Sequence, residues 1–578
     1  MTRLLKTYLT PYWKQLALVV TLLLVQAIAN LYLPNLNADI INNGVAKGNT
    51  AYIISTGGFM LLVTLLLGVA SIIAVYWGSK TAMAFGRDVR SALFRQVQRF
   101  SQVEVNKFGA PSLITRNTND VQQVQMVVVF ALNMMILAPI TAIGGVIMAL
   151  REDVQLSGVL VVIIPLMAAL IGFLMTRALP LFKAMQVKID RLNQVTREKL
   201  SGIRVIRAFV RVDYEAKRFD DANEDLMSTA LKVNRIMALM MPILLGIMNL
   251  STVAIMWFGA QRIAATVNPM PIGNLTAFLT YIIQILFSVM MATIMFVMVP
   301  RAAVSADRIQ DVLDTEPSVN DPEHPAVATG QRGCLEFTDV EFRYPGAEDP
   351  VLCGITFHAD PGEVTAIIGS TGSGKSTLIN LIPRFYDVTS GSITIDGVDI
   401  REIGRAELWD KIGFVPQKAF LFSGTVASNL RYGDQSATDE RLWHALQVAQ
   451  GKQFVSEMPG ELEAPISQGG TNVSGGQRQR LAIARALVKD PEVYIFDDTF
   501  SALDFKTDSK LRAALKNEVT HATTLIVAQR VSTIMHADRI IVLDSGRIAG
   551  IGTHAELMET SPTYREIVYS QLTEEEVA

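Results

Sequence analysis

Residues 364–376 read Val-Thr-Ala-Ile-Ile-Gly-Ser-Thr-Gly-Ser-Gly-Lys-Ser, and an apolar helical stretch follows from Thr377. An apolar run of strand length that breaks into glycines and resumes as helix is a phosphate-binding loop in its required context. The glycines let backbone N–H groups turn inward around an anion, and the start of the helix adds the positive end of its dipole. Lys375 is placed to reach terminal phosphates and Ser376 to offer its hydroxyl to Mg²⁺. The phosphate-holding set is therefore Gly369, Ser370, Thr371, Gly372, Ser373, Gly374, Lys375, Ser376 and Thr377. A second run, Val-Tyr-Ile-Phe-Asp at 493–497, is an apolar strand ending in a carboxylate, which suits Asp497 to the same Mg²⁺ shell.

Outward from this loop, the residues after about 330 alternate short apolar stretches with Gly, Asp and Lys, as an α/β domain does. The residues before about 300 are of another kind. Six runs there, at 15–33, 53–77, 127–150, 156–175, 236–260 and 276–299, contain no Asp, Glu, Lys, Arg or His. Each approaches or exceeds the roughly 20 apolar residues needed to cross a bilayer as helix. The first run closes on Tyr32, Leu33 and Pro34 with no small-residue cleavage site, so it reads as a retained span. Arg3, Lys6 and Lys14 precede it, and the long segments 78–126 and 177–235 are dense in Lys and Arg, whereas the short connections are not. This asymmetry puts both termini in the cytoplasm of a multi-pass cell-membrane protein. Helical periodicity in the two basic segments predicts helices that continue far beyond the membrane.

The expected organisation is an all-α six-helix transmembrane domain with long cytoplasmic helical extensions (1–315), a linker rich in turn residues (316–332) and an α/β P-loop nucleotide-binding domain (333–578). Half of the 578 residues are apolar and only 18% are charged, which excludes a disordered or fibrous chain. A net charge of -3 gives no bulk affinity for nucleic acid. Cys334 and Cys353, both in the second half, lack metal-ligand spacing and read as reduced cytoplasmic thiols.

Between the two nucleotide elements lies Ser474-Gly475-Gly476-Gln477, followed by Arg478, Arg480 and a helix. Together with the phosphate loop it resembles the signature sequence of ATP-binding-cassette (ABC) proteins, and the resemblance then extends over nearly the whole chain. It implies that Tyr344 stacks on adenine and that Gln417 is the lid glutamine, in the Mg²⁺ shell with Ser376 and Asp497. It also implies that Ser501-Ala502-Leu503-Asp504 is the D-loop, with Asp504 a catalytic-site residue, and that Ser474, Gly475, Gly476 and Gln477 face a partner's ATP. Phe108-Gly109, 115–120 and 198–209 resemble the intracellular loops of exporter-type half-transporters. The implied contacts with nucleotide domains fall near 105–112 and 209–215.

The chain departs from the family at two positions that work together. Asp498 stands where the family has a Glu that polarises the attacking water, and Gln529 stands in place of the switch histidine; Gln468 is a third, less diagnostic departure. Shortening the carboxylate retracts it by about an ångström, a displacement that can cost about a hundredfold in rate. A glutamine lacks the ionisable imidazole. The resemblance thus implies the degenerate-site subunit of a heterodimeric multidrug-type exporter, binding ATP and Mg²⁺ with weak hydrolysis of its own and lending its signature to the partner subunit. A homodimeric exporter, a siderophore-type importer of exporter fold and an ATP-sensing membrane module are the alternatives. The spans offer no ionisable relay, so the expected cargo is an amphipathic or apolar small molecule. Met237, Met240, Met241, Met248, Met256, Met290, Met291, Met295 and Met298 either repack around such cargo or pack helix to helix. Asn133, Asn249 and Gln284 serve either a cavity or interhelical hydrogen bonds.

Overall fold

The computed structural model describes residues 1–266, 269–326 and 332–571, apart from four side chains within 293–297. Of the expected linker 316–332, residues 327–331 lie outside the described residues. The chain divides into two compact units, Met1–Val97 with Pro111–Asp314, and Gln98–Ala110 with Thr315–Ala578.

The first unit is helical. Its long helices are α1 (Trp13–Asp39) and α2 (Thr50–Arg99), then α4 (Ala110–Glu152, with local π-helical turns), α5 (Gly158–Ser201), α6 (Val212–Ile263) and α7 (Ile272–Asp314). Among the described residues, six helices are long and apolar enough to cross a membrane. With 50 residues, α2 is about 75 Å long at 1.5 Å per residue, more than twice the thickness of the hydrocarbon core. Leu61, Leu65, Leu66 and Ile72 on α2 are exposed, as side chains that meet lipid are. The inner faces meet instead around Leu31, Leu160, Phe278, Tyr281 and Ile285. The Tyr281 hydroxyl is paired there, donating to the Leu31 carbonyl at 2.8 Å, as a bilayer interior favours. Close approach of α4 to α7 depends on Gly145, because a Cβ there would lie 2.8 Å from Ile285 Cγ1.

The second unit holds the strands β1 (Leu335–Phe342), β2 (Leu352–Ala359), β3 (Val364–Gly369), β4 (Ser390–Ile395), β5 (Val398–Asp399), β6 (Ile412–Val415), β7 (Gly424–Thr425), β8 (Pro465–Ile466), β9 (Val493–Asp497), β10 (Thr523–Val527), β11 (Arg539–Asp544) and β12 (Arg547–Gly552). A six-stranded sheet runs β12-β11-β3-β10-β9-β6, parallel except for β12 against β11, and a four-stranded antiparallel sheet runs β2-β1-β4-β5. Period-two alternation divides the parallel strands between two cores. Ala366, Ile368, Tyr494, Phe496 and Ile526 join one, while Ile367, Val493, Ile495, Leu525 and Val527 join the other. Both faces are therefore buried, which is why these strands read as unbroken apolar runs.

The short helix α3 (Gln102–Phe108) packs with this second unit. Ser101 caps it, with Glu104 completing a reciprocal capping box. Burial alone would raise the Glu104 carboxyl, but hydrogen bonds from Ser101 and Ser318 outweigh it and hold the group below its ordinary range. Val103 packs on the core that contains Phe337, and Asn106 donates to the Tyr386 hydroxyl at 3.3 Å. The expected contact at 105–112 is thus centred a few residues earlier, on Ser101–Asn106. The reason is local: Ser101 starts a new helix, and from Pro111 onward the chain belongs to the first unit.

Replacing Gly145 by leucine is expected to destabilise the membrane unit by about 1–3 kcal/mol through overpacking against Ile285. The measurement is the thermal unfolding midpoint of the purified chain, which should fall; an unchanged midpoint would show that α4 and α7 do not need this approach.

Candidate nucleotide site

β3 delivers the phosphate loop and α8 (Lys375–Leu381) receives it. Gly374 adopts φ +99°, and a Cβ there would sit 2.7 Å from Leu352 Cδ2; a Cβ on Gly369 would sit 2.2 Å from the Leu543 carbonyl oxygen. No other residue fits either position without moving backbone or core. Lys375 Nζ donates to the carbonyls of Gly369 (2.8 Å) and Ser370 (2.7 Å), which curls the loop over its own ammonium group.

A cavity of about 460 Å³ opens at this loop. Thr371, Gly372, Gly374, Lys375, Ser376, Thr377, Gln417, Asp497, Asp498 and Gln529 line it together with Val351 and Val527. Residues spread over about 160 positions of sequence, including both departures from the family pattern, therefore converge on one space. Gly369 and Ser370 shape the loop behind it. Ser373 is buried, with its N–H on the Ser370 carbonyl and its Oγ without a partner among the described residues. Tyr344 bonds Thr377 Oγ1 through its hydroxyl at 3.0 Å and meets Tyr386 edge to face, so its ring stands beside the helix start and not in the cavity wall.

Ser474, Gly475, Gly476 and Gln477 lie outside the cavity lining. They open α9 (Gly475–Lys489), where Ser474 Oγ accepts from the Gln477 N–H and Gln477 Oε1 accepts from the Ser474 N–H, a closed capping box. Asp504 likewise caps α10 (Phe505–Glu518), accepting from the Thr507 N–H at 3.0 Å. Within one chain these two groups organise helix starts. Gln468 sits in a short 3₁₀ turn before the signature and outside the cavity lining.

The acidic pair dominates the electrostatics. Burial, then the charge of Asp498, pushes the Asp497 carboxyl up to about 6 against the pull of Lys375. Burial lowers the Lys375 ammonium, with Asp498 and Asp497 opposing the shift. Asp498 is held in the left-handed region at φ +43°, a conformation that costs a non-glycine residue about 1–2 kcal/mol. Its main-chain N–H bonds the Val527 carbonyl, and Ser501 Oγ donates to its carbonyl. Its side-chain Oδ2 accepts two amide hydrogen bonds, one from Gln417 Nε2 and one from Gln529 Nε2, each at 3.0 Å. Gln529 is in turn anchored by Gln571, whose amide clasps the Gln529 carbonyl and the Val531 N–H. Val351, Val527 and Gln571 are members that the sequence reading missed, and no local pattern marks them.

The donor set fits a Mg²⁺-bound triphosphate. A glycine-rich loop and one lysine meet a pair of buried carboxylates whose mutual repulsion a cation would relieve, with Ser376 in the same wall. Among the described residues there is no cluster of three or more His, Cys, Asp or Glu able to hold a metal by itself, so a cation here would share its shell with phosphate oxygens.

Comparison with known proteins agrees with this geometry. The family described as the ABC transporter transmembrane region matches residues 16–289, and that described as ABC transporter matches residues 352–501. An uncharacterized ABC transporter ATP-binding protein of Mycobacterium tuberculosis is 47% identical over 572 residues, covering 98% of each chain. An ATP-dependent lipid A-core flippase of Xanthomonas oryzae pv. oryzae is 32% identical over 88% of this chain and 86% of its own. The solved structure of a bacterial Atm1-family ABC exporter with ATP bound superposes with a TM-score of 0.77 at 23% identity, covering 98% of this chain and 99% of that one, and so shares the fold.

Replacing Lys375 by alanine removes the only cation in the cavity lining among the described residues. Equilibrium titration with a fluorescent ATP analogue is expected to show affinity reduced by at least about tenfold, the scale of one charge-assisted hydrogen bond. Equal affinity would place the nucleotide elsewhere.

Proposed function

The chain belongs to the ABC transporters, and from that premise we propose that it is one half of a heterodimeric exporter of amphipathic or apolar small molecules. It has the exporter fold, spans the membrane several times and carries an ATP-binding domain. In the proposed arrangement this subunit holds ATP at a slow site and lends Ser474–Gln477 to a faster site completed by the partner subunit.

The observation that carries the proposal is the double capture of Asp498 Oδ2 by Gln417 and Gln529. Both amides hold the same oxygen of the carboxylate and so fix its orientation, and neither amide can take up or release a proton as imidazole does. The loop of Gly369–Lys375 and the Ser376 hydroxyl bind and orient phosphates. The bound Mg²⁺ would supply charge neutralisation at the terminal phosphates. Asp497 would hold the cation's shell, while Gln417, through Asp498, ties the lid to the core. The site is thus built to grip more than to cleave.

The charge pattern of the loops supports a cytoplasmic position for both termini and for the nucleotide domain. At the tip of 209–215, Phe209, Val210, Val212 and Tyr214 are exposed, Val210 at 86%. Two of these apolar side chains sit in the turn at Phe209–Val210 and two in the first turn of α6, and together they suit a surface that a second subunit covers, in keeping with the docking role proposed for this loop. For cargo, one relative is a lipid A-core flippase, which supports an amphipathic substrate class.

The purified chain alone is expected to bind ATP and hydrolyse it slowly. Joint substitution Asp498→Glu with Gln529→His should raise the steady-state rate by about tenfold to a hundredfold, as restored positioning predicts. Brisk hydrolysis by the unmodified chain alone, abolished by Asp498→Asn, would overturn the degenerate-site reading. For the loop, Phe209→Ser with Tyr214→Ser should leave ATP binding intact while transport into vesicles by the co-expressed pair falls several-fold; unchanged transport would remove 209–215 from the coupling.

A further inference from the structure

A cavity of about 360 Å³ lies inside the membrane unit, among α1, α4 and α7, at the lower end of the range of small-molecule sites. Four polar side chains enter its wall, Asn30, Thr141, Gln284 and Ser288. Two of them are satisfied. Thr141 Oγ1 and Ser288 Oγ share a hydrogen bond of 2.6 Å; one hydroxyl donates across it, and the other donates back to a carbonyl of its own helix. Gln284 is not. Its Nε2 reaches the Asn30 carbonyl at 3.3 Å, while its buried Oε1 has no partner among the described residues. An acceptor left unpaired in hydrocarbon is costly, and a ligand N–H or O–H would relieve it.

The rest of the wall sets the remainder of the ligand. Met134, Phe287 and Met291 offer two flexible thioethers and an aromatic face, surfaces that adapt to apolar bodies of differing shape. Among the described residues no ionisable side chain lines the cavity to compensate a charge on a ligand. A larger membrane cavity of about 630 Å³, between α5 and α6, differs on this point. Arg262 in its wall donates twice to Asp153, at 3.0 and 2.9 Å, so its strongest polar group is already engaged.

We propose that the cavity among α1, α4 and α7 is a binding site for an uncharged amphiphile carrying an N–H or O–H donor, the donor resting on Gln284 Oε1 and the apolar body among Met134, Phe287 and Met291. That such a ligand is cargo rests on the export reading; that it binds does not. Of the nine methionines singled out on the fifth and sixth spans, Met291 alone lines this site.

The test uses the full chain in lipid nanodiscs, with empty discs subtracted, and two fluorescent probes of nearly identical shape. One is neutral N-phenylnaphthylamine, which carries a single N–H; the other is its anionic relative anilinonaphthalene sulfonate. Saturable binding of the neutral probe is expected, with the anionic one at least about tenfold weaker. Gln284→Leu should weaken the neutral probe about fivefold to tenfold, the size of one buried hydrogen bond. Phe287→Ala should weaken it by a similar factor, and Gln261→Leu in the larger cavity should leave it unchanged. Retained affinity for a fluorescent ATP analogue certifies that each variant is folded. Equal affinity for the two probes, or Gln284→Leu and Phe287→Ala both binding like the unmodified chain, would overturn the proposal. Neutral-probe binding that persists while ATP-driven transport in vesicles is absent would instead refute export and leave the site standing.

Discussion

The parallel register that sets Val527 beside Ile367 on one side and beside Asp497 on the other is the constraint on which the nucleotide site depends. Three strands distant in sequence end level with one another, so the phosphate loop after β3, the acidic pair after β9 and the Gln529 turn after β10 open on the same edge. Parallel strands buried on both faces permit little slippage, because a shift by one residue would exchange the two cores that Ile367 and Ile368 separately serve. The geometry of the site is in this sense a by-product of packing.

At that edge Asp498 is the junction. Its left-handed backbone turns the chain out of β9 at a cost in conformational energy, and the Val527 carbonyl and Ser501 hydroxyl hold the turn. The side chain then joins Gln417, which follows β6, to Gln529, which follows β10 and is clasped by Gln571 near the C-terminus. Four segments that would otherwise move separately share one hydrogen-bonded path.

The membrane unit follows the opposite rule, in which polar groups are few and each needs an internal partner. Tyr281 finds one in the Leu31 carbonyl and Arg262 finds one in Asp153. Gly145 lets α4 approach α7 at Ile285, and one turn away on the same faces Thr141 meets Ser288. Against that background the amide oxygens of Gln284 and Asn133 have no partner among the described residues, and that of Gln284 belongs to a cavity-lining side chain.

Much of this was legible in the sequence. Six uncharged runs announce the helices, since nothing but a bilayer tolerates so many, and the glycine loop between a strand and a helix announces the phosphate site, since only glycine can adopt φ near +99° at 374 beside Leu352. The identities of Asp498 and Gln529 could be read directly, but not that one oxygen of the first would accept both Gln417 and Gln529. That juxtaposition is a matter of strand order, which no local pattern encodes. Nor did periodicity tell which of nine methionines would face a cavity, or that Gln284 would keep an oxygen to spare, because α-helical spacing says which residues share a face and not what the neighbouring helix brings to it. Local chemistry was written in the chain; the pairing of distant groups was decided by packing, where strand register and helix approach choose each side chain's partner.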